Sequence, residues 1–311
     1  MTEIAIHRRD AQRMGFFTDT TTCIGCKACE VACKQWNDLP ADGSEFRKGG
    51  SYDHTGSLGA ATWRHVRFVE TETPGHLPDI PAANPDAPAP SSGSGDFSLV
   101  DAAATGQATV LSPELGSWVF MSDVCKHCAH AGCMDACPTG ALIRTEFGTV
   151  VLQPDVCNGC GYCIPACPFG VVDRDHIDGR AAKCTLCYDR LEDGLEPACA
   201  KACPTDSIQF GPYDELVETA KGRVVALHEK GVESAYLYGA GDDIGPEQLA
   251  GGLGAFFLLT EPPERFGLPA QADSPIQENG PVASLAGVAA AFVAAAGSIA
   301  SMVVAHRRSR R

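Results

Sequence analysis

Apolar residues in this chain fall mostly into short runs, which predicts brief strands and turns with few long elements. Ala141–Arg144 and Thr149–Leu152 flank Glu146-Phe147-Gly148 and read as a hairpin. Gly170–Asp173 and Arg180–Lys183 flank Asp178-Gly179 and read the same way, and Ser207–Phe210 reads as a further strand. Trp63–Glu70 and Ser117–Ser122 are rich in strand formers and predict two neighbouring strands. A helical period appears over Tyr213–Lys230, where Leu216, Val217, Ala220, Val224 and Leu227 share a face and Gly231 is placed to cap it. Two apolar strands follow at 235–238 and 255–259, and the glycines between them do not form a dinucleotide-binding fingerprint.

Two stretches break this rhythm. Pro74–Gly95 is dense in proline, glycine and serine and predicts a flexible loop inside a longer insertion, 62–124. Val282–Ala305 carries no charge and is long enough to cross a hydrocarbon core of ~30 Å at ~1.5 Å per residue. Gly287, Ala291 and Ala295 repeat at four-residue spacing, which would let a partner helix approach closely. The basic tail Arg307, Arg308, Arg310 and Arg311 orients the expected span with that tail cytoplasmic and the rest of the protein on the outer, periplasmic face. The N-terminus has no apolar run of signal-peptide length, so Arg8-Arg9 does not read as a twin-arginine signal. Export would then require the domain to travel folded with a partner that carries the signal.

A chain of 311 residues with a net charge of -15 can bury a substantial core and is a poor candidate for binding nucleic acid. Its 16 cysteines change the picture more than any other feature. They fall into quartets with none left over: Cys23, Cys26, Cys29, Cys33; Cys125, Cys128, Cys133, Cys137; Cys157, Cys160, Cys163, Cys167; and Cys184, Cys187, Cys199, Cys203. The first and third have the spacing C-x2-C-x2-C-x3-C that wraps three thiolates around a 4Fe-4S cubane and sends the fourth to a neighbouring cubane. Cys137, Cys167 and Cys203 are each followed by proline, a further mark of that pattern. A disulfide framework suits shorter secreted chains, and a zinc site needs two cysteine pairs and no third cysteine between them.

If the fourth cysteine of each quartet serves the other cluster of its module, pairing the quartets fixes every ligand. Adjacency joins the second quartet to the third, and the first then pairs with the fourth. The expected sets are Cys23, Cys26, Cys29 with Cys203; Cys33 with Cys184, Cys187, Cys199; Cys125, Cys128, Cys133 with Cys167; and Cys137 with Cys157, Cys160, Cys163. Pairing first with second and third with fourth remains open, since sequential elements tend to be neighbours. Lys27, Lys126 and Lys183 adjoin ligands and would raise a cluster's potential if buried, but solvated lysines are the plainer expectation. His127 and His130 read as hydrogen-bonding or surface histidines, the quartets being complete without them.

Four segments carry a resemblance: residues 15–38, 124–142, 156–171 and 183–204, each holding one quartet. Over 14–268 the chain resembles the iron-sulfur (beta) subunit of respiratory formate dehydrogenases. The resemblance implies an electron-transfer subunit with four 4Fe-4S clusters and the first-with-fourth pairing. It implies a catalytic partner holding a molybdenum or tungsten pterin and a membrane cytochrome b that reduces quinone. By the same analogy the cluster of Cys23 faces the catalytic subunit and that of Cys157 faces the membrane haem. Electron subunits of hydrogenases and other molybdoenzymes carry similar quartets; nitrate reductase subunits commonly have tryptophan for one cysteine of the third, where Cys160 is intact here.

The expected fold is α+β, with two bacterial-type ferredoxin-like dicluster modules built from short hairpins and loops. Module I takes 14–35 and 183–211, module II takes 125–182, a packing subdomain takes 212–268, and a transmembrane anchor takes 282–305.

Overall fold

A computed structural model of the chain describes residues 12–41, 53, 55–70, 118–241, 243–245, 248–274, 288–298 and 302. It divides into two compact units. One comprises Met1–Phe68 and Phe120–Arg311; the other, Val69–Val119, is described only at residues 69–70 and 118–119. The expected loop at 74–95 lies outside the described residues.

The largest sheet of the first unit is built around β1, Met14–Asp19. It has the order β8-β1-β10-β9, with β8 at Ile208–Pro212, β9 at Tyr236–Tyr238 and β10 at Ala255–Leu259. β1 runs antiparallel to β8 and parallel to β10, with Phe16 opposite Ala255 and Thr18 opposite Phe257. Every residue of β10 is buried, which suits an unbroken apolar strand covered on both faces. Phe17 stacks on Phe256 with ring centroids 5.4 Å apart. The helix Tyr213–Glu229 packs on this sheet through Leu216, Ala220 and Leu227, and Gly231 follows in the left-handed conformation at φ 85°. Strands from the expected packing stretch thus share one sheet with β1 and β8, which flank the first and fourth quartets.

The remaining strands form two-stranded pieces. β2, Arg64–Glu70, pairs with β3, Trp118–Val124. β4, Leu142–Arg144, pairs antiparallel with β5, Val150–Leu152, as expected of two short runs flanking Glu146-Phe147-Gly148. β6 and β7 are only Asp173–Arg174 and Ala181–Ala182, shorter than the apolar runs suggest. Val171 and Val172 are buried against the second quartet instead of extending β6.

The expected membrane span lies only partly within the described residues. Within 282–305 the structure describes 288–298, which are helical and exposed, and residue 302. Among the described residues no helix is long and apolar enough to cross a membrane.

Candidate cluster-binding sites

All 16 cysteines are free thiols, so no disulfide framework is present. Each quartet folds by the same local device. The residue before its second cysteine is left-handed in every case: Gly25 at φ 67°, His127 at 45°, Gly159 at 71° and Leu186 at 60°. Such a turn curls the C-x2-C loop and aims successive backbone N–H groups toward sulfur, as where Leu186 N–H donates to Cys184 Sγ at 3.2 Å. At Gly159 no other residue fits well, because a Cβ there would stand 2.6 Å from the Gly179 carbonyl oxygen.

The last two cysteines of the first and fourth quartets, four residues apart, diverge to different recesses. α1, Ala28–Trp36, carries Cys29 and Cys33; α2, Gly132–Asp135, carries Cys133, with Cys137 just beyond. After α3, Tyr188–Glu192, the short helix α4, Ala198–Lys201, carries Cys199 ahead of Cys203.

Three recesses result, each lined by four cysteines. Cys23, Cys26, Cys29 and Cys203 line one. Cys33, Cys184, Cys187 and Cys199 line another. Cys125, Cys128, Cys133 and Cys167 line the third. The other four are also neighbours: burial pushes the Cys163 thiol up to about 11, with the charges of Cys137, Cys157 and Cys160 adding to the effect. No group of three or more histidine, cysteine or acidic side chains among the described residues is drawn together to hold a metal ion. A lone ion needs sulfur atoms converging to ~2.3 Å from one point, whereas a cubane needs them spread around a cavity. The residues present fit the larger group.

Thiols in these recesses are costly to ionise. Burial raises Cys29 and Cys133 to about 12 and Cys187 to about 11, and neighbouring thiolates push most of the buried cysteines further up. Positive charge counters this from close by. Lys126 and Lys183, expected at the surface, are 1% and 2% exposed. Lys126 pairs with Asp123 and donates to the Val124 carbonyl at 2.8 Å, under the rings of Phe169 and Phe257. Lys183 donates to the carbonyls of Val150 and Cys184 and stands 3.8 Å from Cys125 Sγ. Lys27, also expected in solvent, has a side chain only 15% exposed and pairs with Glu30 at 3.4 Å on the flank of the first cage.

The cages adjoin in sequence. Ser122 and Arg64 lie between the cage of Cys29 and that of Cys199; Lys183 lies between the carbonyl of Cys184 and the sulfur of Cys125; α2 joins the cage of Cys133 to that of Cys137. His127 is buried, its Nδ1 accepting from Val150 N–H at 3.0 Å, and burial holds its pKa well below the usual value. His130 is exposed.

Sequence reading missed Arg64, Ser122 and the group around His65. His65 is 0% exposed between Glu30 and Asp53, at 3.6 and 3.3 Å. Burial alone would lower the His65 pKa, but the neighbouring carboxylates of Asp53 and Glu30 raise it; burial alone would raise Glu30, but His65, Val66 N–H and Lys27 hold it below its usual value. Nothing in a strand reading Arg64-His65-Val66-Arg67 marks which of its cations turn inward.

Comparison with known proteins gives this arrangement its class. The 4Fe-4S dicluster domain family matches residues 22–141 in one form and 116–213 in another, so the chain is a 4Fe-4S dicluster protein of ferredoxin-like type. The iron-sulfur subunit of the nitrate-inducible formate dehydrogenase of Escherichia coli is 37% identical over 255 residues, covering 81% of this chain and 70% of that protein. The formate dehydrogenase iron-sulfur subunit of Haemophilus influenzae is 38% identical over 221 residues, 71% of this chain and 58% of its own length. The B subunit of the anaerobic dimethyl sulfoxide reductase of E. coli is 32% identical over 202 residues, 65% of this chain and 75% of that protein. The chain belongs to the family of formate dehydrogenase iron-sulfur subunits.

Proposed function

We propose that this chain is the electron-transfer subunit of a formate dehydrogenase, holding four 4Fe-4S clusters in the four cysteine cages and chemically inert toward formate itself. The observation that carries this reading is the folding of four sequence quartets into four-cysteine groups, each cage borrowing one cysteine from another quartet. Cys23, Cys26, Cys29 and Cys203 hold the first cluster, and Cys33, Cys184, Cys187 and Cys199 the second. Cys125, Cys128, Cys133 and Cys167 hold the third, and Cys137, Cys157, Cys160 and Cys163 the fourth. Bound clusters supply one-electron redox chemistry. The chain's residues fix their spacing, exclude water from the inner cages and place buried cations beside the thiolates.

In this reading a catalytic subunit with a molybdenum or tungsten pterin docks near the cage of Cys23, and a membrane cytochrome b near the cage of Cys157. Exposed apolar side chains support both ends: Ile24 and Val31 near the first, Tyr162 and Val156 near the last. The apolar stretch 282–305 anchors the chain, with the basic tail cytoplasmic and the cages on the outer face.

The test is reduction of the purified complex by formate. A formate dehydrogenase subunit shows bleaching of its cluster absorbance on anaerobic addition of formate, together with a pterin-containing large subunit. The similarity to the dimethyl sulfoxide reductase B subunit supplies the second reading, in which formate has no effect and dimethyl sulfoxide reoxidises the dithionite-reduced clusters.

A further inference from the structure

Arg64 is 1% exposed, among the most deeply buried cations of the chain. No carboxylate among the described residues pairs with it. Its Nη2 donates to Cys199 Sγ at 3.0 Å, and its Nη1 reaches the Ser122 carbonyl at 3.2 Å and the Ser122 hydroxyl at 3.4 Å. That hydroxyl lies 3.1 Å from Cys29 Sγ. The guanidinium sits over the ring of Phe16, 4.8 Å from its centroid, and Nε has no hydrogen-bond partner. Cys29 belongs to the first cage and Cys199 to the second, so one cation spans both through a serine on one side and directly on the other.

A buried guanidinium without an acidic partner is expensive, and the negative charge within its reach is that of the cysteine sulfurs. Lys126 differs, because it has Asp123 as an acidic partner and acts on Cys128 and Cys167 of the third cage. Lys183 lies on the other side of the second cage and toward the third. Among these buried cations Arg64 alone contacts the sulfur networks of both the first and second cages.

We propose that Arg64 is a positioning residue shared by the first two cages, acting through Cys199 and Ser122 to raise together the reduction potentials of the groups those cages hold. Adding an electron makes such a group one unit more negative, and a fixed positive charge in a low-dielectric interior favours that state. Because the charge is common to both cages, the two potentials move as a pair and stay matched for transfer between them. The proposal rests on the cluster-binding reading above.

The experiment is a redox titration, followed by electron paramagnetic resonance, of the purified complex carrying native chain, Arg64→Gln, Arg64→Lys or Ser122→Ala. Arg64→Gln keeps hydrogen-bonding capacity and removes the charge; it shifts two of the four midpoint potentials downward and leaves two in place. Arg64→Lys restores most of that shift. Ser122→Ala lowers only one of the two. Unmoved potentials in Arg64→Gln at full iron content overturn the proposal, as does an Arg64→Lys shift equal to that of Arg64→Gln. If Arg64→Gln fails to assemble, Arg64→Lys and Ser122→Ala decide: one lowered potential in Ser122→Ala with near-native values in Arg64→Lys upholds the proposal, and native values in Ser122→Ala overturn it. A native complex without iron would defeat the cluster reading itself, a failure distinct from these.

Discussion

Two neighbouring cages are built from one short helix and end in opposite surroundings. α2 gives Cys133 to the cage of Cys125, Cys128 and Cys167, and the turn after it gives Cys137 to the cage of Cys157, Cys160 and Cys163. The cage of Cys133 is closed by Phe169, Val171, Val172 and His127, with the buried Lys183 at its edge. The cage of Cys137 leaves Cys160 exposed and Cys137 and Cys157 half-buried. Their sulfurs are stabilised differently as a result. Burial alone would raise the Cys137 thiol, but the N–H groups of Leu142, Ala141 and Thr139 and the Thr139 hydroxyl hold it below its usual value. Cys133 is raised to about 12 by burial, against which Lys183 is the opposing charge. Cys133 thus depends on an opposing charge in a dry recess, and Cys137 on backbone donors near the surface.

The largest test of this contrast is to delete one cysteine from each cage. Cys133→Ala opens a hole in the core and removes a ligand; it should cost about four irons per chain and lower Tm by about 10 °C. Cys160→Ala touches only an exposed corner, so iron loss should be confined to its own cage with a Tm drop of about 3 °C or less. Equal melting losses in calorimetry would erase the distinction between closed and open cages.

A smaller effect probes how the open cage gets its shape. Gly159→Ala places a Cβ 2.6 Å from the Gly179 oxygen at a φ of 71°. It should cost ~1–3 kcal/mol in denaturant unfolding while the closed cage keeps its iron. Native stability in this variant would mean that the turn relaxes freely.

These cages were legible in sequence to very different depths. Grouping of the cysteines is local, because C-x2-C and C-x3-C spacing acts within one turn, and the β4–β5 hairpin follows from eleven or so adjacent residues. Burial of Lys126 was not legible: Phe169 and Phe257 cover it from distant parts of the chain, and a lysine beside a cysteine looks the same whether such rings arrive or not. The parallel β1–β10 pairing is hidden for the same reason, since no local pattern tells Ala255–Leu259 to meet Met14–Asp19.

The smallest effect concerns the first cage, whose charged flank titrates. His65 is held above its usual value of 6.5, so its interaction with Glu30 and Asp53 contributes stability that is full below pH 6.5 and is lost as pH rises through the raised value. Thermal unfolding of the native chain should therefore weaken by on the order of 1 kcal/mol relative to His65→Gln as pH rises above 6.5. Parallel curves for the two proteins would remove His65 from the account. At the closed cage His127 is held well below its usual value, so iron retention there should be flat over the same range.

The most direct test of the central claim is the iron and acid-labile sulfide content of anaerobically purified protein. Four cubanes in four cysteine cages predict about sixteen irons and about sixteen sulfides per chain. A protein that carries zinc in place of iron, or iron without matching sulfide, would contradict the assignment of the cages.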